Sequence, residues 1–450
     1  MKIKYKTLGG LLILLLNMFS LKAQHIHDQD TLKDKPAEDS LAHSMSMDMP
    51  PMSYAFSLNL PMSRNGSGTS WLPDASPMYG TMIHTAKWMY MLHGDIKARY
   101  TNHDIFEKGS RGSDKFDAPN WFMAMAQRQV GKNGLFHWNA MLSLDPVTEG
   151  GVGYPLLFQS GESYKKAPIV DRQHPHDLFA ELSLSYSHAL SQKADVFAYL
   201  GYPGEPAIGP VAFMHRPSSL SNSDAPLGHH WTDATHITFG VATLGFRYNK
   251  FKIEASSFTG LEPDEHRFNF DKPKFDSWSG RLSFNPSGNW ALQISQAFIK
   301  SPELLHGDEN VNRTTASAIY SKPFGSENWI NLTGLWGMNK TKEHSGENAA
   351  LLEGDLRLKK LSLYTRYEWV QKSTEELDLP ESTFGHNAVF PVNALTLGFN
   401  YDLTNLGPLR LAAGAQVTGY EADKRLDVLY GKNPIAGEVF IRLYPKLMKM

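Results

Sequence analysis

Period-two alternation of apolar and polar residues dominates the chain from about Lys87 to Tyr444, in blocks of roughly ten residues, the length a tilted strand needs to cross a bilayer. Leu409, Leu411, Ala413, Ala415 and Val417 alternate with Arg410, Ala412, Gly414, Gln416 and Thr418. Val439, Ile441 and Leu443 alternate with Glu438, Phe440, Arg442 and Tyr444. Leu178, Ala180, Leu182, Leu184 and Tyr186 oppose Glu181, Ser183, Ser185 and Ser187, and Trp290, Leu292 and Ile294 oppose Gln293 and Ser295. In Thr235 to Asn249 the apolar phase switches from Ile237, Phe239 and Val241 to Leu244, Phe246 and Tyr248, which predicts a bulge or a displaced strand boundary.

The connections fall into two classes that take turns along the chain. Short turns are expected at Gly131 to Gly134, Ser191 to Lys193, Asn249 to Lys250, Pro286 to Asn289, Lys322 to Glu327, Lys359 to Lys360 and Thr404 to Gly407. Longer polar stretches lie near 105–118, 146–176, 203–233, 261–274, 300–311, 339–347, 373–390 and 421–433. Together they join about sixteen strands, with both ends of the strand region on the turn side. This predicts an all-β fold, a transmembrane antiparallel up-and-down β-barrel over 87–450, with turns in the periplasm and loops outside the cell. Such a lumen is too wide for strand side chains to fill, so a loop or the segment before Lys87 is expected inside. Ser53 to Leu60 alternates weakly, which makes 53–86 a linker or plug segment.

The N-terminus follows other rules. Lys2, Lys4 and Lys6 precede an apolar run from Gly10 to Leu21, and Ala23 offers a small residue for cleavage, so 1–23 reads as an export signal peptide. Residues 24–52 carry scattered charge, Ser and Pro with almost no aliphatic material, as in a disordered periplasmic arm. The 450 residues include 44 basic and 46 acidic ones, without a basic block that could face a row of phosphates, so nucleic acid is not expected as a partner. Cysteine is absent, which excludes disulfides, thiolate metal sites and Cys nucleophiles.

Any metal must therefore be held by His, Met or carboxylates. The arm offers His25, His27, Asp28, His43, Met45, Met47, Met49 and Met52, followed by Met62; thioether suits Cu(I) and imidazole suits Cu(II), Zn and Ni. A second group lies in the long outer loops: His174, His176, His215, His229, His230 and His236, expected at one side of the extracellular mouth, with Asp171, Asp177 and Asp233 able to orient the rings. Pro175 restrains the backbone between two of them. The same residues also fit a polar network that pins loops across the pore. No nucleophile elbow, HExxH helix or phosphate loop occurs, and Ser187 and His188 point to opposite faces of one strand, so an enzyme is not expected.

Trp71 to Tyr79, Ala118 to Met123, Gly153 to Phe158 with Gly161 and Glu162, and above all Asp171-Arg-Gln-His-Pro-His-Asp177 resemble a family of exported bacterial proteins over roughly residues 68–245. The resemblance implies an outer-membrane barrel, in some members associated with heavy-metal resistance. The Met-rich segment also looks like those of copper-handling proteins, including the outer-membrane barrel of copper resistance. The expected work is passive binding or conduction of a transition-metal ion, copper first, or of a small solute. The lumenal residues Arg410, Gln416, Glu438 and Arg442 are expected to set selectivity. No cofactor is required beyond such an ion, the lipid of the outer membrane is the surrounding partner, and a homo-oligomer is compatible with the fold. The alternatives are a general diffusion porin without a metal role and a barrel-borne lipid hydrolase.

Overall fold

The computed structural model describes residues 53–448 apart from 306, 308 and 343–345. The export signal at 1–23 and the arm at 24–52, with all eight candidate ligands from His25 to Met52, lie outside the described residues.

Eighteen strand segments close into one antiparallel ring. Thr81–His84 and Ile435–Pro445 pair with the first and last residues of Met89–His103 on one side and so form a single stave. Ser113–Asp117 and Asn120–Val130 share its other side in the same way, which makes the barrel sixteen-stranded. Tight connections at 131–133, 192–193, 249–250, 285–289, 324–327, 359–360 and 407–408 alternate with long ones, as the sequence pattern predicts.

The face assignment follows the alternation. Leu244, Ile253, Ile294, Leu352, Val417, Val439 and Ile441 are exposed on the outer wall, while Thr243, Lys252, Glu254, Ser295, Gln416, Glu438 and Arg442 are buried within. Aromatic pairs ring the turn end, with Phe251 stacked on Phe284 at 4.3 Å and Trp290 against Tyr320 at 4.8 Å. An apolar outer wall, aromatic girdles and closure without free edges make this a bacterial outer-membrane β-barrel.

The displaced boundary expected after Thr235 is found, and one further local expectation changes. The phase switch after Thr235 marks a strand boundary: the strand is Val241–Tyr248, Ala234–His236 is a 3-10 turn, and Ile237 and Phe239 are buried beneath it. Further back, a register shift between Phe179 and Glu181 turns Ala180 inward, where it is 3% exposed. An extra residue at a bulge reverses the face of its neighbour.

The lumen is filled. Ser53–Tyr54 and Ser57–Pro61 form a small hairpin whose Tyr54 and Phe56 pack against Phe197 and Tyr199. Residues 62–80 continue across the turn end, where Thr69 accepts from Lys252 and Asn285 donates to the Leu72 carbonyl at 3.0 Å. The 202–240 loop turns inward and is buried along almost its whole length. Its Arg216, Asp224 and Asp233 are paired: Arg99 on the wall reaches Asp117, Asp224 and Glu438 at 2.7, 2.8 and 3.0 Å. Arg216 in the loop reaches Asp233 at 3.0 Å and Glu353 at 2.7 Å. Buried ions are tolerated only with such partners. The four residues expected to tune an open pore belong to the same bonding. Arg410 binds Asp402 and Glu327, Gln416 binds Asp224 and Tyr364, Glu438 binds Arg99, and Arg442 binds Asp95. They hold a packed interior together and do not line a channel.

Candidate metal centre in the lumen

Two long loops meet inside the barrel and bring five histidines together. His174 and His176 follow the hairpin Tyr154–Tyr164 and Ala167–Gln173, while His229, His230 and His236 come from the 202–240 loop. They are buried inside the loop end of the barrel, where the amide of Asn339, next to the end of the strand Asn328–Lys340, donates to the His230 carbonyl at 3.0 Å. None of the five is more than about one-eighth exposed at its side chain.

Each element is set by local chemistry. His229–Thr232 is a single helical turn, closed by Asp233 N–H donating to the His229 carbonyl at 3.0 Å. Trp231 anchors it: the ring is fully buried under Lys372, whose Nζ lies 4.4 Å from its centroid. Gly337 on the wall admits this turn, since a Cβ there would stand 2.3 Å from the Trp231 carbonyl oxygen. Gly161, at φ +115°, does the same for His230: a Cβ would meet its ring at 2.3 Å.

The rings are held from one side. His176 Nδ1 donates to Asp145 at 2.6 Å, His229 Nδ1 to Asp233 at 2.8 Å, and His236 Nδ1 to the Asp233 carbonyl at 2.7 Å. His174 Nδ1 lies 3.1 Å from Glu162, and His230 Nδ1 lies 3.5 Å from Glu262. The Nε2 atom of every one of these five histidines is buried without a hydrogen-bond partner. A carboxylate on Nδ1 fixes the tautomer whose Nε2 carries the free lone pair, the arrangement found behind metal-bound imidazoles.

Ring nitrogens of His174, His229 and His230 lie within 4.8 Å of one another. Three nitrogens sharing an ion at about 2.0–2.1 Å stand about 3.4 Å apart in tetrahedral geometry, so ring movements of about 1 Å close the set. His236 adjoins it, with ring centroids 5.2 Å from His229 and 5.3 Å from His176. Burial holds the His174 and His236 rings well below their ordinary pKa, with Arg267 and His229 respectively adding to the effect. His229 is also lowered by burial, which outweighs Asp233. Burial opposes charge on His230 too, but Glu262 prevails and raises it. Three of the four are therefore neutral and ready to ligate.

Among the sequence candidates, His215 stands apart from this group, its ring 4.8 Å from Trp121 and 6.1 Å from His93. Of the three aspartates proposed to orient rings, only Asp233 does so. Asp171 binds the Phe158 N–H, Arg111 and Tyr430, and Asp177 binds Arg267. Asp145, Glu162 and Glu262 take the remaining orienting places; carboxylates so far from the histidines in sequence leave no local signal. Ser187 is buried on the inner face, whereas His188 meets the Tyr186 hydroxyl at 3.3 Å on the other.

Outside the centre, on the loop side, a cavity is lined by Glu162, Glu303, Glu309, Glu347, Glu375 and Glu376. Burial, and then the Glu376 charge, push the Glu303 carboxyl well above its usual range. A site this crowded with carboxylates attracts cations. The Gly161 wall places this vestibule directly against His230.

No family model and no curated protein matches the chain. Solved structures do. OmpT, an outer membrane protein of Vibrio cholerae, is 9% identical over 81% of this chain and 99% of that chain, with a TM-score of 0.46. OmpF of Salmonella typhi, solved as a complex with daunomycin, is 9% identical over 81% and 100%, at 0.48. An anion-selective porin from Comamonas acidovorans is 10% identical over 80% and 99%, at 0.44. At these identities the likeness extends to the fold alone.

Proposed function

We propose that this outer-membrane barrel binds a divalent transition-metal cation inside its lumen, drawn from the exterior through the glutamate-lined vestibule. The observation that carries this reading is the set of five buried imidazoles whose Nδ1 atoms face acceptors and whose Nε2 atoms have none. Leaving a buried nitrogen unpaired costs roughly 1–3 kcal/mol, and an ion between His174, His229 and His230 would pair three of the five. Imidazole with carboxylate behind it favours Cu(II), then Zn(II), in the usual affinity order, so copper stays the first candidate. An open diffusion pore is disfavoured by the buried 202–240 loop, whose Asp224 pairs with Arg99 of the wall and whose Arg216 pairs with Asp233 and Glu353.

The test is a chelator-competition titration of the full chain in detergent with Cu(II) and Zn(II). One site is expected to disappear in the His174→Gln/His229→Gln variant while the barrel stays folded. Identical stoichiometry and affinity in the two proteins would refute the proposal.

A further inference from the structure

A second set of ligand-bearing side chains lies nearer the turn end. Met89, Met91 and His93 hold successive inward positions on Met89–His103, Met123 and Met125 do so on Asn120–Val130, and Met141 lies on Gly134–Leu142. The register sets them side by side: Met91 opposite Met125, His93 opposite Met123, and Met123 opposite Met141. Directly opposed residues have Cβ atoms about 4.5–5.5 Å apart, within the span two thioethers need to share an ion. Met62, Met78 and Met214 from the lumenal segments complete the group. Eight buried methionines are thus gathered with Ala180 and Ile237 as the buried aliphatic neighbours, where packing alone would favour Leu, Ile and Val.

An independent observation points to a ligand. The cavity among these residues is lined by Met62, Met91, Met123, Met125, His93 and His215 together with Trp121. The Nε2 of His93 is buried there without a hydrogen-bond partner. The nearby carboxylate, Asp95, is already engaged by Arg442 at 2.7 Å and Lys97 at 3.2 Å. The donors open to an ion are therefore neutral and soft. Phe213–His215 joins this chamber to the histidine centre, with Phe213 5.5 Å from the His229 ring, Met214 among the methionines and His215 on Trp121.

The geometry points to a binding site for a soft monovalent cation, Cu(I) or Ag(I), held by the thioethers of Met91, Met123 and Met125 with Nε2 of His93. It is separate in ligands and in ion class from the histidine centre. The test uses the full chain labelled with 13C at the methionine methyls and titrated with Ag(I), which undergoes no change of oxidation state. The resonances that vanish individually in Met91→Leu, Met123→Leu and Met125→Leu are expected to shift on adding Ag(I). The triple variant, close to volume-conserving, is expected to lower Ag(I) stoichiometry by one and to leave Cu(II) and Zn(II) binding at the histidine centre unchanged. Unmoved resonances, or an unchanged Ag(I) stoichiometry, would overturn the assignment. If the triple variant does not fold, the wild-type methyl shifts decide alone.

Discussion

Asp233→Asn separates a ring-orienting carboxylate from a merely structural one. In the native site one carboxylate oxygen accepts from His229 Nδ1 at 2.8 Å and Thr232 Oγ1 at 3.0 Å. The other accepts from Arg216 at 3.0 Å and the Phe213 N–H at 2.9 Å. An Asn amide has a single oxygen and must choose a side. A hydrogen bond to a charged donor contributes about 1.5–3 kcal/mol and a neutral one about 0.5–1.5 kcal/mol, so the oxygen turns to Arg216. The amide NH2 then faces His229 Nδ1, which must accept, and the ring proton moves to Nε2. That tautomer has no lone pair for a metal. The expected loss of Cu(II) or Zn(II) affinity is about 10–100-fold, or about 1.4–2.8 kcal/mol, read by chelator competition. The barrel persists because Arg216 keeps Glu353 at 2.7 Å. The pH profile is the second readout: the variant should bind more weakly across the whole range, without the wild-type rise above the histidine titration. Affinity within twofold of wild type would show that Asp233 does not set the tautomer and would refute an oriented His229 ligand.

Further outcomes follow from the same geometry. The lowered pKa values of His174, His229 and His236, and of His215 at about 4, stabilise the fold above their unfolded value near 6.5 and are lost as pH falls below it. The metal-free barrel should lose stability between pH 7 and 5, about 2 kcal/mol of it through His215, partly offset by His230, whose raised value favours acid; equal denaturant midpoints at the two pH values would contradict this. Gly161→Ala forces a Cβ at φ +115° into the His230 ring and should weaken metal binding by about tenfold, whereas unchanged affinity would remove His230 from the ligand set. In planar bilayers the native chain should conduct far less than an open sixteen-stranded pore. Arg99→Met, which strands Asp117, Asp224 and Glu438, should raise conductance and cost about 3–5 kcal/mol; porin-like conductance in the native chain would refute the sealed lumen.

The wall was largely legible in the sequence because alternation is a local, period-two property, and each turn and loop announced itself within a few residues. What the loops do was not legible. Whether the 202–240 loop projects outward or folds inward depends on partners such as Arg99, Glu353 and Arg366, which lie more than a hundred residues away. The histidines were visible as residue types, yet nothing in the local sequence marks their orienting groups: Asp145 and Glu162 share the 143–178 connection with His174 and His176, and Glu262 comes from the 259–276 connection. The methionine chamber did leave a signal: Met89-Tyr-Met-Leu-His93 and Met123-Ala-Met125 place soft donors at every second position, on the face an inward strand register requires. Alternation of that kind reads as apolar wall unless the inward face is inspected for ligand chemistry.

The seam of the cylinder joins Met89–His103 to Ile435–Pro445, the first and last long strands of the chain. A ring closed by its two ends leaves its mouths as the routes inward for a loop of some forty residues and its buried Arg216. The closing contacts, residues 96–103 on residues 436–443, span more than three hundred residues, and Arg99 on that seam also holds Asp224 of the inserted loop and Glu438 of the last strand. Contacts so distant in sequence are slow to form, and here the same arginine ties the wall's closure to its contents.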